Sequence, residues 1–219
     1  MQRQDSDSFS VLKSVIAKRR TTKALASEPV PAPLDRSIAE EIVAQAAWAP
    51  FHKPASREHR GKRDLNSNVP WRAYLLDETA CKNLRKRLIE IGDETKIPQL
   101  LAASSILIQI TWLPNSEPMP AAGELFAPTL ENMEHIAAAS AAAQNILLAA
   151  TAHDLPNYWS SGGALRSPEV FQWLGIPPRE ILIGALFLFP SDLSKTEVSG
   201  GKLRDKRGAP SQWSRWIAI

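Results

Sequence analysis

Residues 141–176 read AAAQNILLAATAHDLPNYWSSGGALRSPEVFQWLGI, and three residues later residues 180–190 read EILIGALFLFP. Four features follow one another in this stretch. The alanine-rich run, which begins near residue 132 and continues to about His153, reads as one long helix. YWSSGG, residues 158–163, is by composition a polar turn between two helices. SPEVFQWLG reads as a short helix stopped by Gly175. EILIGALFLF has the continuous apolar character of a strand buried on both faces.

Working outward, SSILIQITWLP (residues 104–114) is a second strand of the same buried kind, and WRAYLLD (71–77) alternates as a strand. ETACKNLRKRLIEIGDE (78–94) suits a helix, while PNSEPMPAAGELFAPTLE (114–131) is a proline-rich connection with little periodicity. Near the start, FSVLKSVIAKRR places Leu12, Val15 and Ile16 at helical spacing, which predicts a helix over about residues 8–19. SEPVPAPLD is broken by prolines. Asp35 then reads as an N-cap, with Ile38, Ile42, Val43 and Ala46 as the buried stripe of a second helix that stops near Pro50. The C-terminal tail reads as irregular. Helices and strands in this order predict a mixed α/β class with one sheet, in a single domain over residues 1–219. GxGxxG, GxxxxGK[ST] and HExxH are all missing, so no dinucleotide, P-loop or zincin motif is present.

The composition is that of a soluble globular chain, with 44% apolar and 22% charged residues. No run approaches the roughly 20 apolar residues of a membrane span, so no membrane partner is expected. The start, MQRQDSDSFS, lacks the apolar core of a signal peptide, and a cytoplasmic location is expected. A single cysteine, Cys81, excludes an intrachain disulfide and a cysteine-rich zinc site.

The net charge is +3, and it is concentrated. Lys53, Arg57, Arg60, Lys62 and Arg63 face only Glu58 and Asp64 between residues 52 and 68, a surplus equal to that of the whole chain. Two more basic clusters are KRRTTK (18–23) and KLRDKR (202–207). Separated clusters suit the phosphates of a small ligand as well as they suit solvated surface. A nucleic-acid protein would carry a continuous basic face, and no nucleic-acid partner is expected. His52 and His59 lack nearby cysteines or a carboxylate pair, so no metal site is expected.

Three segments together resemble the flavin-dependent nitroreductase family, in its small single-domain branch. They are the opening helix ending in KRRTTKAL, then IVAQAAWAPFHK with the later PWRAYLL, and finally the long helix, YWSSGG turn and last core strand quoted first. They occur in family order and span most of the chain. The resemblance implies an α+β fold, with a mixed sheet flanked by helices and an intertwined homodimer. It implies FMN as cofactor, NAD(P)H as electron donor, and a small-molecule acceptor of nitroaromatic or quinone type, reduced by ping-pong hydride transfer. The flavin would carry the chemistry while the protein positions it.

By the same resemblance, Arg19, Arg20, Thr21 and Lys23 of the first motif bind the cofactor, Arg19 and Thr21 at its phosphate and ribityl chain. Basic residues at a helix C-terminus also cap it favourably, so that reading stays open. Trp48 and His52 match ligand-contacting positions, Trp48 standing where the branch has Arg; a lone His and Trp after a helix are also ordinary packing residues. Trp159, Ser160 and Ser161 match the loop that passes the flavin ring, where small residues let backbone N–H groups approach. Lys206 and Arg207 match a basic pair near the family's C-terminus, or belong to a solvated tail. The family's Gln before Pro-Trp is Val69 here. No catalytic side chain is assigned. Residues 54–69 carry an insertion, which makes the connection between His-Lys and Pro-Trp roughly ten residues longer than the family's, a length typical of lids and disordered segments. With Gly61 as hinge and a basic centre, it is expected to lie outside the folding core and attract a phosphorylated donor. Two other readings stand beside the oxidoreductase: a non-catalytic flavin- or nucleotide-binding module on the same fold, and a small basic partner-binding protein.

Overall fold

The computed structural model describes residues 2–60 and 65–219. Helix α1 (Gln2–Lys18) leads into strand β1 (Thr22–Leu25). Helix α2 (Arg36–Ala44) continues as a 3-10 turn, Gln45–Trp48. Strand β2 (Trp71–Asp77), helices α3 (Glu78–Glu90) and α4 (Ile97–Ala103) and strand β3 (Ile106–Trp112) follow. Then come helix α5 (Leu130–Ala152), strand β4 (Asn157–Ser160), helix α6 (Pro168–Leu174) and strands β5 (Ile181–Leu188) and β6 (Glu197–Gly200).

The main sheet has the order β2-β3-β5-β4, each neighbouring pair antiparallel. Strands β1 and β6 form a separate antiparallel ribbon. A parallel bridge between Thr21 and Asn157 joins ribbon to sheet and makes the β structure mixed, in an α+β protein. All seven residues of β3 are buried, as its continuous apolar character predicts for a strand covered on both faces. Ile106, Ile108, Ile110 and Trp112 face a core shared with α2 and α5. Leu107 faces the other core, with α3, α4 and α6. Fully burying such a side chain contributes about 1.5–3 kcal/mol, so this strand is the centre of the fold. Ala139, Ala142, Ala143 and Ala150 are fully buried, and their small size lets α5 lie close against the sheet.

The caps follow the sequence. Asp35 accepts from the Ser37 N–H at 2.9 Å, Asp77 from Ala80, and Thr129 from Asn132. Gly175 ends α6 with φ +66, a conformation that favours glycine.

Four expectations change. Helix α1 starts at Gln2, well before residue 8, and Leu12 and Ile16 of its expected buried stripe are exposed in the single chain. Helix α4 has no counterpart in the sequence reading, because six of its seven residues are buried and burial on nearly every side erases the 3.6 period. Half of YWSSGG is strand, with Trp159 opposite Leu186 and Ser160 opposite Ala185. The tail is not wholly irregular, since β6 pairs with β1.

The insertion is not a free lid at its ends. Ala55 is fully buried and donates to the Asn68 carbonyl at 2.8 Å. Buried His59 meets the Pro114 carbonyl through Nε2 at 2.7 Å. Glu58 accepts from the hydroxyls of Ser56 and Ser116, both at 2.9 Å. The buried Arg72 guanidinium donates to the carbonyls of His59, Leu65, Ser67, Val69 and Trp71, at 2.7–3.1 Å. Arg72 thus supplies the donors that a segment poor in aliphatic residues needs. Gly61, Lys62, Arg63 and Asp64, with the expected hinge and basic centre, lie outside the described residues.

Candidate functional site

Arg19 follows the last residue of α1, and its N–H still bonds the Val15 carbonyl at 3.0 Å. The chain then enters β1, whose partner β6 brings residues 197–204 alongside. The Gly201 N–H donates to the Thr21 carbonyl at 3.2 Å, and a Cβ at Gly201 would meet the Thr21 side chain at 3.0 Å. The absent side chain therefore sets how closely the two segments approach. Arg204 caps the helix end, donating to the carbonyls of Ala17 at 2.7 Å and Arg19 at 3.0 Å.

A cleft of about 520 Å³ results, and its charged lining is Arg19, Arg20, Lys202, Arg204, Arg207 and one acid, Asp205. The Arg19 guanidinium is partly buried and pairs with no carboxylate among the described residues. Burial, then Arg207 and Arg204, pushes its pKa below the ordinary guanidinium value. Uncompensated positive charge crowded in a cleft between backbone segments has the chemistry of an anion site.

Of the expected residues, Arg19, Arg20, Thr21 and Arg207 meet in this cleft. Lys206 is exposed and does not line it. Lys23 lies further along β1 with its ammonium 5.7 Å from the Tyr158 ring centroid; burial and Lys96 lower its pKa. Arg204 was not singled out within KLRDKR, because sequence does not distinguish a capping arginine from its neighbours.

Trp159 packs over the sheet: a Cβ at Gly184 would fall 1.9 Å from its indole Nε1. Ser160 is buried and accepts from the Gly162 N–H at 3.2 Å. Ser161 is exposed, and its carbonyl is held by Arg166 Nε. Gly162 has φ +108, and a Cβ there would fall 2.6 Å from Leu182, so both shape and backbone require glycine.

Trp48 and His52 lie elsewhere. Trp48 is 80% exposed and lines a groove of about 820 Å³ with Val11, Leu12, Gln45 and Asn145, none of which lines the basic cleft. His52 is exposed. Cys81 is buried, and burial raises its thiol pKa to about 12, which removes it as a nucleophile. Among the described residues, no group of three or more His, Cys, Asp or Glu could hold a metal, and no helix is long and apolar enough to cross a membrane.

A sheet buried between two cores, with a basic cleft where the first helix meets a C-terminal ribbon, defines an α+β protein with a crowded positive cleft at its edge. The chain belongs to the nitroreductase family, whose sequence model matches residues 16–188. The matched segment ends before β6, so Lys202, Arg204 and Arg207 lie beyond it. Among solved structures, a nitroreductase-like family protein from Bacillus cereus is similar with TM-score 0.64 and 19% identity, over 94% of this chain and 95% of that one. The nitroreductase CinD from Lactococcus lactis, in complex with nicotinic acid, gives 0.61 and 16%, over 95% and 99%. A putative nitroreductase from Desulfovibrio desulfuricans, in complex with FMN, gives 0.54 and 18%, over 82% and 86%. No curated protein matches the sequence.

Proposed function

We propose that this single-domain protein is an FMN-dependent oxidoreductase that takes electrons from NAD(P)H and reduces a small acceptor of nitroaromatic or quinone type. The observation that carries this is Arg19: partly buried, crowded by Arg204 and Arg207, and without a carboxylate partner. A phosphomonoester with a charge of about −2 offsets that crowding, and guanidinium forks match its oxygens. Family membership and the FMN held by the similar Desulfovibrio protein agree with the choice.

FMN, when bound, supplies the hydride acceptor and donor. Arg19, Arg20 and Arg207 would hold its phosphate, with Thr21 beside them. Ser160, Ser161 and Gly162 would offer backbone at the ring, the sharp turn at Gly162 being fixed by Leu182 and by Arg166 on the Ser161 carbonyl. Tight packing over Gly184 makes Trp159 a support for this segment.

Trp48 and His52 do not reach the cleft of their own chain, so in this reading they serve the cleft of a second copy. The apolar surface of α1 supports a homodimer, since Phe9, Val11, Leu12 and Ile16 are all more than half exposed. Trp213, Trp216, Ile217 and Ile219 of the tail are exposed as well. A cytoplasmic setting accords with the lone, reduced cysteine.

The test is the colour and turnover of the purified protein. Bound flavin absorbing near about 450 nm, bleached by NADH or NADPH and restored by a quinone, is the expected result. Protein that neither retains nor takes up FMN overturns the proposal. Flavin that binds but is reduced by neither nucleotide leaves a binding module.

A further inference from the structure

We propose that a second ligand site lies in the cavity between α6, the start of β5 and the proline-rich connection, and that it takes a small apolar carboxylic acid. The cavity is about 610 Å³, within the range of about 300–1,000 Å³ usual for small-molecule sites. Its walls are mostly apolar, with Leu125, Phe171, Ile176 and Leu182 among them. None of its lining residues lines the basic cleft, and it meets the proposed flavin segment only through Arg166 and Leu182, which stand behind the turn at Gly162.

Its charged lining is Arg166, Arg179 and Glu180. Arg166 uses Nε on the Ser161 carbonyl, and its terminal nitrogens bond nothing among the described residues. Arg166 is exposed at the cavity mouth, its partial burial lowers its pKa, and it forms no ion pair among the described residues. Arg179 likewise forms no ion pair among the described residues. Glu180 is the acid that would have to neutralise them, and it is engaged elsewhere. Both of its oxygens accept from the Tyr74 hydroxyl at 3.0 Å, and Oε2 also accepts from the Thr111 hydroxyl at 2.5 Å. Burial raises the Glu180 pKa, against the Thr111 and Tyr74 hydroxyls, Arg72 and Arg179, which lower it, and its hydrogen bonds are spent on Tyr74 and Thr111 and not on either cavity arginine. The cavity thus presents unpaired guanidinium nitrogens beside apolar walls. A carboxylate on an aromatic or branched apolar body is complementary to both, while a highly charged phosphate would leave the walls unused.

The test is equilibrium dialysis of the full-length purified protein against 4-phenylbutyrate and its uncharged counterpart, 4-phenylbutanamide. The acid is expected to bind at least tenfold more tightly than the amide. Arg166→Gln should bring the acid down to the amide's affinity. Leu125→Trp, at an exposed lining position that tolerates bulk, should weaken both ligands at least fivefold. Arg19→Ala, in the basic cleft, should change neither. The proposal is overturned if no acid binds at millimolar concentration, or if acid and amide bind alike. It is equally overturned if acid binding survives both Arg166→Gln and Leu125→Trp, or is lost with Arg19→Ala, which would place the acid in the basic cleft.

Discussion

Arg204 donates to the backbone carbonyl of Arg19 at 3.0 Å, across 185 positions of sequence. Arg204 thereby caps the end of α1, while Arg19, just past that helix, keeps its guanidinium in the cleft without a carboxylate partner among the described residues. The two residues have opposite tasks, and exchange of either for alanine separates them.

Arg204→Ala removes two hydrogen bonds from a charged donor at a partly exposed site. A loss of about 1–2 kcal/mol in urea unfolding is expected, together with weaker FMN binding. Unchanged unfolding would mean that solvent caps the helix equally well.

Arg19→Ala should leave stability nearly unchanged or raise it slightly, because a crowded charge is removed. FMN affinity should fall by about 1.5–3 kcal/mol, the range for hydrogen bonds to charged groups, as read by flavin fluorescence titration. Arg19→Lys should restore only part of this, since a point charge lacks the fork.

Arg72→Met leaves five carbonyls without their shared donor. A destabilisation of about 3–5 kcal/mol is expected, of the size found when a buried charged partner is removed. Limited trypsin digestion should then cut within residues 54–69 much faster than in the parent. Equal cutting rates would show that Arg72 does not hold the segment.

His59 sets an acid limit. Burial lowers its pKa most, with Arg179 and Arg72 acting the same way, against the Pro114 carbonyl and Glu58. A depressed folded-state pKa means that stability is present above the ordinary imidazole value of 6.5 and is lost as pH falls through the folded value. The urea midpoint should therefore drop between about pH 7 and pH 5. In His59→Asn that part of the drop should vanish, while unfolding free energy at neutral pH falls by about 1 kcal/mol for the lost hydrogen bond. A parallel pH profile in the variant would remove His59 as the cause.

Gly184→Ala tests the support under the turn at Gly162. The new methyl would displace the Trp159 indole, an overpacking expected to cost about 1–3 kcal/mol and to change tryptophan fluorescence. An unshifted spectrum would show that the ring has room to move.

The core was legible in the sequence because its elements are long or uniformly apolar. The α5 alanine run, the continuous apolar β3 and β5, and the Asp35 and Gly175 boundaries are local signals. Strands β1, β4 and β6 have four residues each, and their reason for being strands is a partner far along the chain. Arg19, Arg20 and Thr21 follow from the first family-like motif, and Lys206 and Arg207 from the resemblance to a C-terminal basic pair. Of that pair only Arg207 lines the cleft, and Lys206 is exposed outside it, because a local motif does not specify which of two neighbouring side chains a cleft takes in. The insertion was misjudged at its ends for a related reason. Its apolar content is small, and what holds it is the buried guanidinium of Arg72, a residue that in WRAYLLD reads as the polar face of a strand.

The pairing of β1 with β6 has a consequence for biosynthesis. Leu25 leaves the ribosome roughly 170 residues before its partner Glu197 is made. At about 5–20 residues per second, that interval is on the order of ten to thirty seconds. The first wall of the cleft therefore stands without its partner throughout that interval, and the cleft closes only once residues 197–207 have emerged. If the cleft holds FMN as proposed, loading follows formation of the main sheet, and a chain stopped short of residue 197 is expected to keep its central sheet yet have no cleft to load.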